Sequence, residues 1–201
     1  TLLMAWFLWY QDGIHWMAAL RHGALNALSA QSTAGFSSID ISTIGNGSKL
    51  TLIFAMAVGG SIGSTAGGIK IFRLLIVFRV LYLILQRAGM PPNSVSEIRM
   101  SGRRLEADEI QNALCLIVAF IIFIGLSWMP FLVLSHPPLD SLFEVVSAIS
   151  TTGISAGITG AELHPLLKGI LCADMLLGRL EIVAWLVFLY PGTWIGRRME
   201  E

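Results

Sequence analysis

The hydrophobic pattern of the chain falls into apolar stretches of unequal length, separated by runs of small and polar residues. From Ala113 to Leu134 no charged residue occurs. That stretch exceeds the ~20 residues needed to cross a hydrocarbon core and predicts a membrane-spanning helix. Leu50 to Val58 is apolar but too short to span, and it meets a Gly/Ser/Thr-rich segment from Gly59 to Gly68 before apolarity resumes from Ile69 to Leu85. The pair predicts one spanning helix broken in its middle. Leu166 to Leu189 is long enough to span yet carries Asp174, Arg179 and Glu181. Ala24 to Ser32 and Leu142 to Ser150 are too short to span, and Ser, Thr and Gly follow each. They predict re-entrant half-helices, which membranes tolerate where protein or a water-filled cavity surrounds the backbone. Leu2 to Tyr10 lacks the basic flank and small-residue cleavage site of a signal peptide and predicts the tail of a further helix.

Composition strengthens this picture. The chain of 201 residues is 55% hydrophobic and 13% charged, with 13 Lys+Arg against 13 Asp+Glu. The charged fraction is about half the globular norm of roughly 25%, which points to a membrane protein surrounded by lipid. No basic stripe suggests a nucleic-acid partner. Cys115 and Cys172 lie inside apolar runs and are expected to be reduced packing residues. Lys70, Arg73, Arg79, Arg87, Arg99, Arg103 and Arg104 cluster in one stretch, and Arg197 and Arg198 follow the last span. The linker 87–107 and the C-terminus are therefore expected on the cytoplasmic side of a multi-pass inner (plasma) membrane protein. Residues 36–46 and 154–165 contain no Lys or Arg and are expected outside, with 12–23 and 135–140. Trp6, Trp9 and Trp16 fit an interfacial aromatic belt, and His15 and His22 beside them are expected to be interfacial.

Shifting the chain by 118 positions lays Leu25–Ser37 over Phe143–Ser155. Ser29/Ser147, Ala30/Ala148, Ser32/Ser150, Thr33/Thr151, Gly35/Gly153 and Ser37/Ser155 are then identical, and Gly60 falls on Gly178. The repeat unit reads span, half-helix, Thr-x-Gly loop, span, and both copies face the same way across the membrane. A half-helix ending in such a loop can aim backbone carbonyls at a monovalent cation, replacing its hydration shell. Thr33-Ala34-Gly35-Phe36 and Thr151-Thr152-Gly153-Ile154, preceded by Ser32 and Ser150, look like relaxed versions of the potassium-channel Thr-Val-Gly-Tyr-Gly strand.

The segment 59–68 admits several readings. Gly59-Gly60-Ser61-Ile62-Gly63 formally fits the nucleophile elbow of a serine hydrolase, which would need a strand-turn-helix and His and acidic partners. The downstream histidines, His136 and His164, stand in expected outer loops beside prolines. Gly63 to Lys70 approaches a phosphate-binding loop, but Ile69 intrudes and no Ser or Thr follows the lysine. Gly59, Gly63 and Gly67 also have the spacing of close helix packing. Arg179 lies mid-span, where an ionisable residue is either functional or part of a salt bridge between repeats. Asp174 and Glu181 lie about 140° and 200° around the helix from it, so they are expected to anchor the helix to a neighbouring repeat. Lys70 reads as a pore charge or an ordinary cytoplasmic flank.

Ser32-Thr33-Ala34-Gly35-Phe36-Ser37, the run from Gly59 to Lys70 and Gly178-Arg179-Leu180-Glu181 together resemble the Trk/Ktr/HKT superfamily of cation transporters, closest to its bacterial TrkH-type subunits. The resemblance covers nearly the whole chain. It implies an all-α membrane fold of tandem span/pore-half-helix/span repeats, of which this chain carries the last two of four: 1–86 as the third repeat, 87–107 as linker, 108–201 as the fourth. It implies potassium uptake without covalent chemistry or cofactor, K⁺ being held at Thr33, Ala34, Gly35, Thr151, Thr152 and Gly153. It makes Gly59, Gly60, Gly63, Ser64, Thr65, Gly67 and Gly68 an intramembrane gate loop, with Arg179 and Lys70 as pore charges. The implied partners are an N-terminal half carrying the first two repeats, a second full subunit in a homodimer, and a cytoplasmic nucleotide-binding regulatory subunit of the TrkA type. The fourth strand, Thr151-Thr152, departs from the often Asn-rich family pattern, which keeps Na⁺ or mixed Na⁺/K⁺ transport as an alternative. A membrane hydrolase using Ser61 is the alternative of a different class.

Overall fold

Each apolar run becomes a helix, and the small-residue segments become the turns between them. The computed structural model describes residues 1–61, 64, 66–87, 99–100, 103–104 and 107–179. Its helices are α1 (Leu2–Tyr10), α2 (Trp16–Gln31), α3 (Asn46–Ala57), α4 (Ile71–Arg87), α5 (Ala107–Val133), α6 (Pro138–Ile149) and α7 (Pro165–Arg179). Strands of two residues interrupt the helical pattern. β1 (Val58–Gly59) pairs in parallel with β2 (Ile69–Lys70), and β3 (Arg99–Met100) pairs antiparallel with β4 (Arg103–Arg104) in the linker.

Among the described residues, α5 alone is long and apolar enough to cross a membrane by itself. Val118, Ile121, Ile122, Leu126 and Met129 stay exposed along it, as suits a lipid-facing surface. Helices α3 and α4, of 12 and 17 residues, stand on either side of the glycine-rich segment where a broken span is expected.

The half-helices begin earlier than hydrophobicity suggests. α2 starts at Trp16 and not at Ala24, because Arg21, His22 and Gly23 interrupt the apolar run without interrupting the helix. A Cβ at Gly23 would meet the Ala5 backbone nitrogen at 2.8 Å, so the bare glycine lets α1 and α2 pack closely. α6 starts at Pro138 and not at Leu142, with proline in the first turn, where its missing N–H costs nothing. The expected last span is described only as far as Arg179, and its remainder, with Glu181, lies outside the described residues. The cysteines are a correction: Cys115 and Cys172 are free thiols on exposed faces, not packing residues.

One apolar core joins α1, α2, α3 and α6. Met4 and Leu8 of α1, Leu52 and Met56 of α3, and Phe143 and Val146 of α6 belong to a single buried cluster. Beside it, Lys49 of α3 forms an ion pair at 2.7 Å with Asp140 of α6, their side chains 6% and 24% exposed. Removing one partner of a buried pair strands the other charge. Lys49→Met in the full-length protein is therefore expected to lower stability by about 2 kcal/mol, with much of that returned by adding Asp140→Leu. Thermal unfolding of the detergent-solubilised protein measures both, and an unshifted midpoint for the single variant would remove the pair's structural role.

Candidate functional site

Helices α2 and α6 end in the same six-residue turn. The N–H groups of Ser32 and Ser150 donate to the carbonyls of Leu28 and Val146 at 2.9 and 2.9 Å. Those of Thr33 and Thr151 donate to Ala30 and Ala148 at 3.2 and 3.0 Å, and those of Ala34 and Thr152 to Ser29 and Ser147 at 2.9 and 2.9 Å. This pair of crossed bonds is a Schellman cap, which ordinarily places glycine in the left-handed position. Here threonine occupies it in both copies, with φ of 55° at Thr33 and 56° at Thr151. A β-branched residue in that region is strained by roughly 1–3 kcal/mol, and such strain gathers at functional sites. Two residues on, Gly35 and Gly153 are again left-handed, at φ of 78° and 82°.

The two turns lie against one another. A Cβ on Gly35 would run into the backbone carbonyl oxygen of Thr152, whereas among the described residues nothing lies within 4 Å of the corresponding position on Gly153. In the second copy the Ser150 and Thr152 hydroxyls are 2.8 Å apart, and the Ser147 hydroxyl donates to the Ile154 carbonyl at 2.5 Å. Thr152 and Ile154 are buried, while Phe36 of the first copy is exposed.

Two polar side chains that pattern reading passed over hold the segments after these turns. Asn26 of α2 accepts the Ser38 N–H through Oδ1 at 2.9 Å. Glu144 of α6 accepts the Ala156 N–H through Oε1 at 2.9 Å. The same shift of 118 positions relates Asn26 to Glu144 and Ser38 to Ala156. His22, expected at an interface, has its Nδ1 2.8 Å from the Ser38 hydroxyl.

Under the turns runs the loop between α3 and α4. A Cβ on Gly67 would strike the carbonyl oxygen of Ser150 and lie 2.8 Å from the Thr151 hydroxyl, so only bare backbone fits beneath the second turn. Gly59 packs with equal closeness against the Gly67 carbonyl, and Gly60 lies against the Ser64 side chain. Gly68 is left-handed at φ 75°. Lys70 Nζ donates to the carbonyls of Ser64 at 2.6 Å and Ala66 at 3.1 Å, tying the loop to the start of α4. A cavity of about 300 Å³ opens here, and Ser64, Lys70, Arg73 and Arg179 are among the residues lining it. Gly178, one residue before Arg179, packs against the Ile149 carbonyl at the end of α6. Gly63 and Thr65 lie outside the described residues.

These positions bear on three readings. Gly59 lies in β1 and Gly67 in a non-helical stretch before β2, so the two are not on one continuous packing helix. Ser61 comes after β1, and the first described helix beyond it starts only at Ile71. Asp174 is buried, and the Ser127 hydroxyl of α5 donates to its Oδ1 at 2.7 Å.

Comparison with known proteins identifies the family and the fold. A family model described as TrkH, cation transport protein, matches residues 11–191. An uncharacterized cation transporter of Methanocaldococcus jannaschii is 30% identical over 80% of this chain and 34% of its own length. The Trk system potassium uptake protein TrkH of Salmonella typhimurium is 27% identical over 96% of this chain and 40% of its own. The chain thus spans about 40% or less of the curated relatives it matches. The crystal structure of the potassium transporter TrkH from Vibrio parahaemolyticus superposes with a TM-score of 0.82 at 22% identity, covering 96% of this chain and 42% of that one, which shows a shared fold.

Proposed function

Since the chain belongs to the TrkH family of cation transport proteins, we propose that it supplies two of the ion-lining units of a potassium-uptake pore, and that its chemistry is coordination and not catalysis. The observation that carries this reading is the matched pair of left-handed positions, Thr33 with Gly35 and Thr151 with Gly153. Alternating backbone hand along a short strand can turn successive carbonyls toward one side. Thr33, Ala34 and Gly35, with Thr151, Thr152 and Gly153, can then replace part of a cation's hydration shell. The C-terminal ends of α2 and α6 add negative dipole charge where a cation would sit.

In this reading residues 59–68 are a gate under the filter, made of unwound backbone because a bulky side chain would close it. Lys70 holds the gate loop through its carbonyls, and Arg179 places positive charge beside the path. Residues 1–86 and 108–201 are the third and fourth units, and 87–107 is a cytoplasmic linker in a multi-pass inner-membrane protein. The reading calls for an N-terminal half carrying two further units, a second subunit, and a nucleotide-binding regulatory ring. Sodium transport through the same pore is the alternative, and ion competition separates the two.

Two carbonyl strands cannot surround an ion, and loops at membrane depth leave polar backbone that lipid cannot satisfy. Residues 1–201 reconstituted alone are therefore expected to carry no selective flux, and co-expression with the missing half is expected to restore Rb⁺ uptake that K⁺ inhibits more strongly than Na⁺. Selective current from the isolated chain would replace this reading with a pore built from two copies.

A further inference from the structure

We propose that Glu144 and Asn26 are a matched pair of positioning residues that fix the outer ends of the two filter strands, with Glu144 governing discrimination between K⁺ and Na⁺. The proposal rests on the filter reading above and extends it to residues outside the carbonyl strands.

Both side chains are withdrawn from solvent, Asn26 0% and Glu144 5% exposed. A buried carboxylate is costly unless donors surround it. Three donors serve Glu144, and all come from the segment that leaves the filter: the Ser155 hydroxyl at 2.5 Å, the Ala156 N–H at 2.9 Å and the Thr159 hydroxyl at 2.6 Å. Asn26 binds the corresponding segment through the Ser38 N–H at 2.9 Å and, at 3.4 Å, the Ser38 hydroxyl. A side chain serving only helix packing has no reason to repeat its backbone partner in the second copy. These two do so at the same register and the same length.

Each strand is thereby clamped twice. The Schellman turn holds its inner end at Thr33 or Thr151, and the buried acceptor holds its outer end at Ser38 or Ala156. Between the clamps stand the carbonyls proposed to meet the ion, so the stiffness of the cage, and hence its preference for one ionic radius, depends on both ends. The clamps are unequal. In the second copy Ser147 also donates to the Ile154 carbonyl, and every acceptor bond to Glu144 is charge-assisted. In the first, Asn26 Nδ2 and the Ser29 hydroxyl have no hydrogen-bond partner among the described residues. The fourth strand is the stiffer of the two, and losing its anchor should cost more.

The test measures Rb⁺ uptake and its inhibition by Na⁺ in vesicles carrying the full-length transporter. Glu144→Ala removes all three charge-assisted bonds and is expected to reduce discrimination against Na⁺ by about tenfold, with the KM for Rb⁺ rising more than Vmax falls. Glu144→Gln keeps an acceptor oxygen in place and is expected to recover most of the discrimination, and Asn26→Ala is expected to lose less than Glu144→Ala. Wild-type discrimination in Glu144→Ala overturns the proposal. Should that variant fail to reach the membrane, Ser155→Ala with Thr159→Val removes two of the three donors and leaves α6 untouched, and unchanged discrimination there overturns it equally. Gly153→Ala run in parallel separates the readings. If Gly153→Ala loses discrimination and the anchor variants do not, only the anchors fail; if neither does, the filter assignment fails.

Discussion

Gly35→Asp and Gly153→Asp in the full-length transporter are each expected to abolish K⁺-dependent growth of an uptake-deficient host. Both positions are left-handed, where a side chain costs roughly 1–2 kcal/mol before any contact is considered, enough for about a tenfold loss if the strand must hold that geometry to coordinate. The smaller substitution separates the two sites. Gly35→Ala meets the Thr152 carbonyl oxygen, whereas Gly153→Ala meets only backbone strain among the described residues, so alanine should be worse tolerated at 35 than at 153. Normal growth and Rb⁺ uptake in normally expressed aspartate variants would refute the filter assignment.

Opening the loop should act in the other direction. On the proposed gate, Arg179→Ala, or deletion of several residues within 59–68, is expected to raise ion flux by about tenfold, because a positive charge set beside the cation's path would cost more than about 1.4 kcal/mol in low-dielectric surroundings. The loop's close fit at Gly59 and Gly67 makes it an obstruction that bare backbone only just satisfies. Stopped-flow flux in proteoliposomes measures the change against protein content. A fall in flux in both variants, or failure of Arg179→Ala to accumulate, would make the arginine a structural residue and leave the gate without its charge.

The helices, the non-helical interruption before α4 and the paired Thr-x-Gly turns were legible because each leaves a mark in a single line of sequence: apolar length, a glycine-rich run, and a copy of itself further along. What hydrophobicity missed, it missed for physical reasons. The first turns of α2 carry Trp16, Arg21 and His22, which suit a helix standing above the hydrocarbon layer but end an apolar run. The Lys49–Asp140 pair joins residues with no periodic relation, and only the packing of α3 on α6 reveals it. Asn26 and Glu144 were within reach. Both lie inside the window in which the copies overlap, but they differ in identity, and counting identical positions passes over a polar residue retained as polar amid small and apolar neighbours. Asp174 also bonds Ser127 of α5, a partner that angular spacing on one helix does not reveal.

Gly67 resting under Ser150 and Thr151 means that the ceiling of the loop and the floor of the second turn are one surface. Two equilibria that share a surface are thermodynamically linked, and the linkage is reciprocal. Whatever factor the seated loop contributes to the affinity of an ion at the lowest filter position, that ion returns to the stability of the seated loop. On the gate and filter proposed above, ion occupancy and gate position are then not separate variables, and the external salt concentration would act on the gate without any binding site beyond the conduction path.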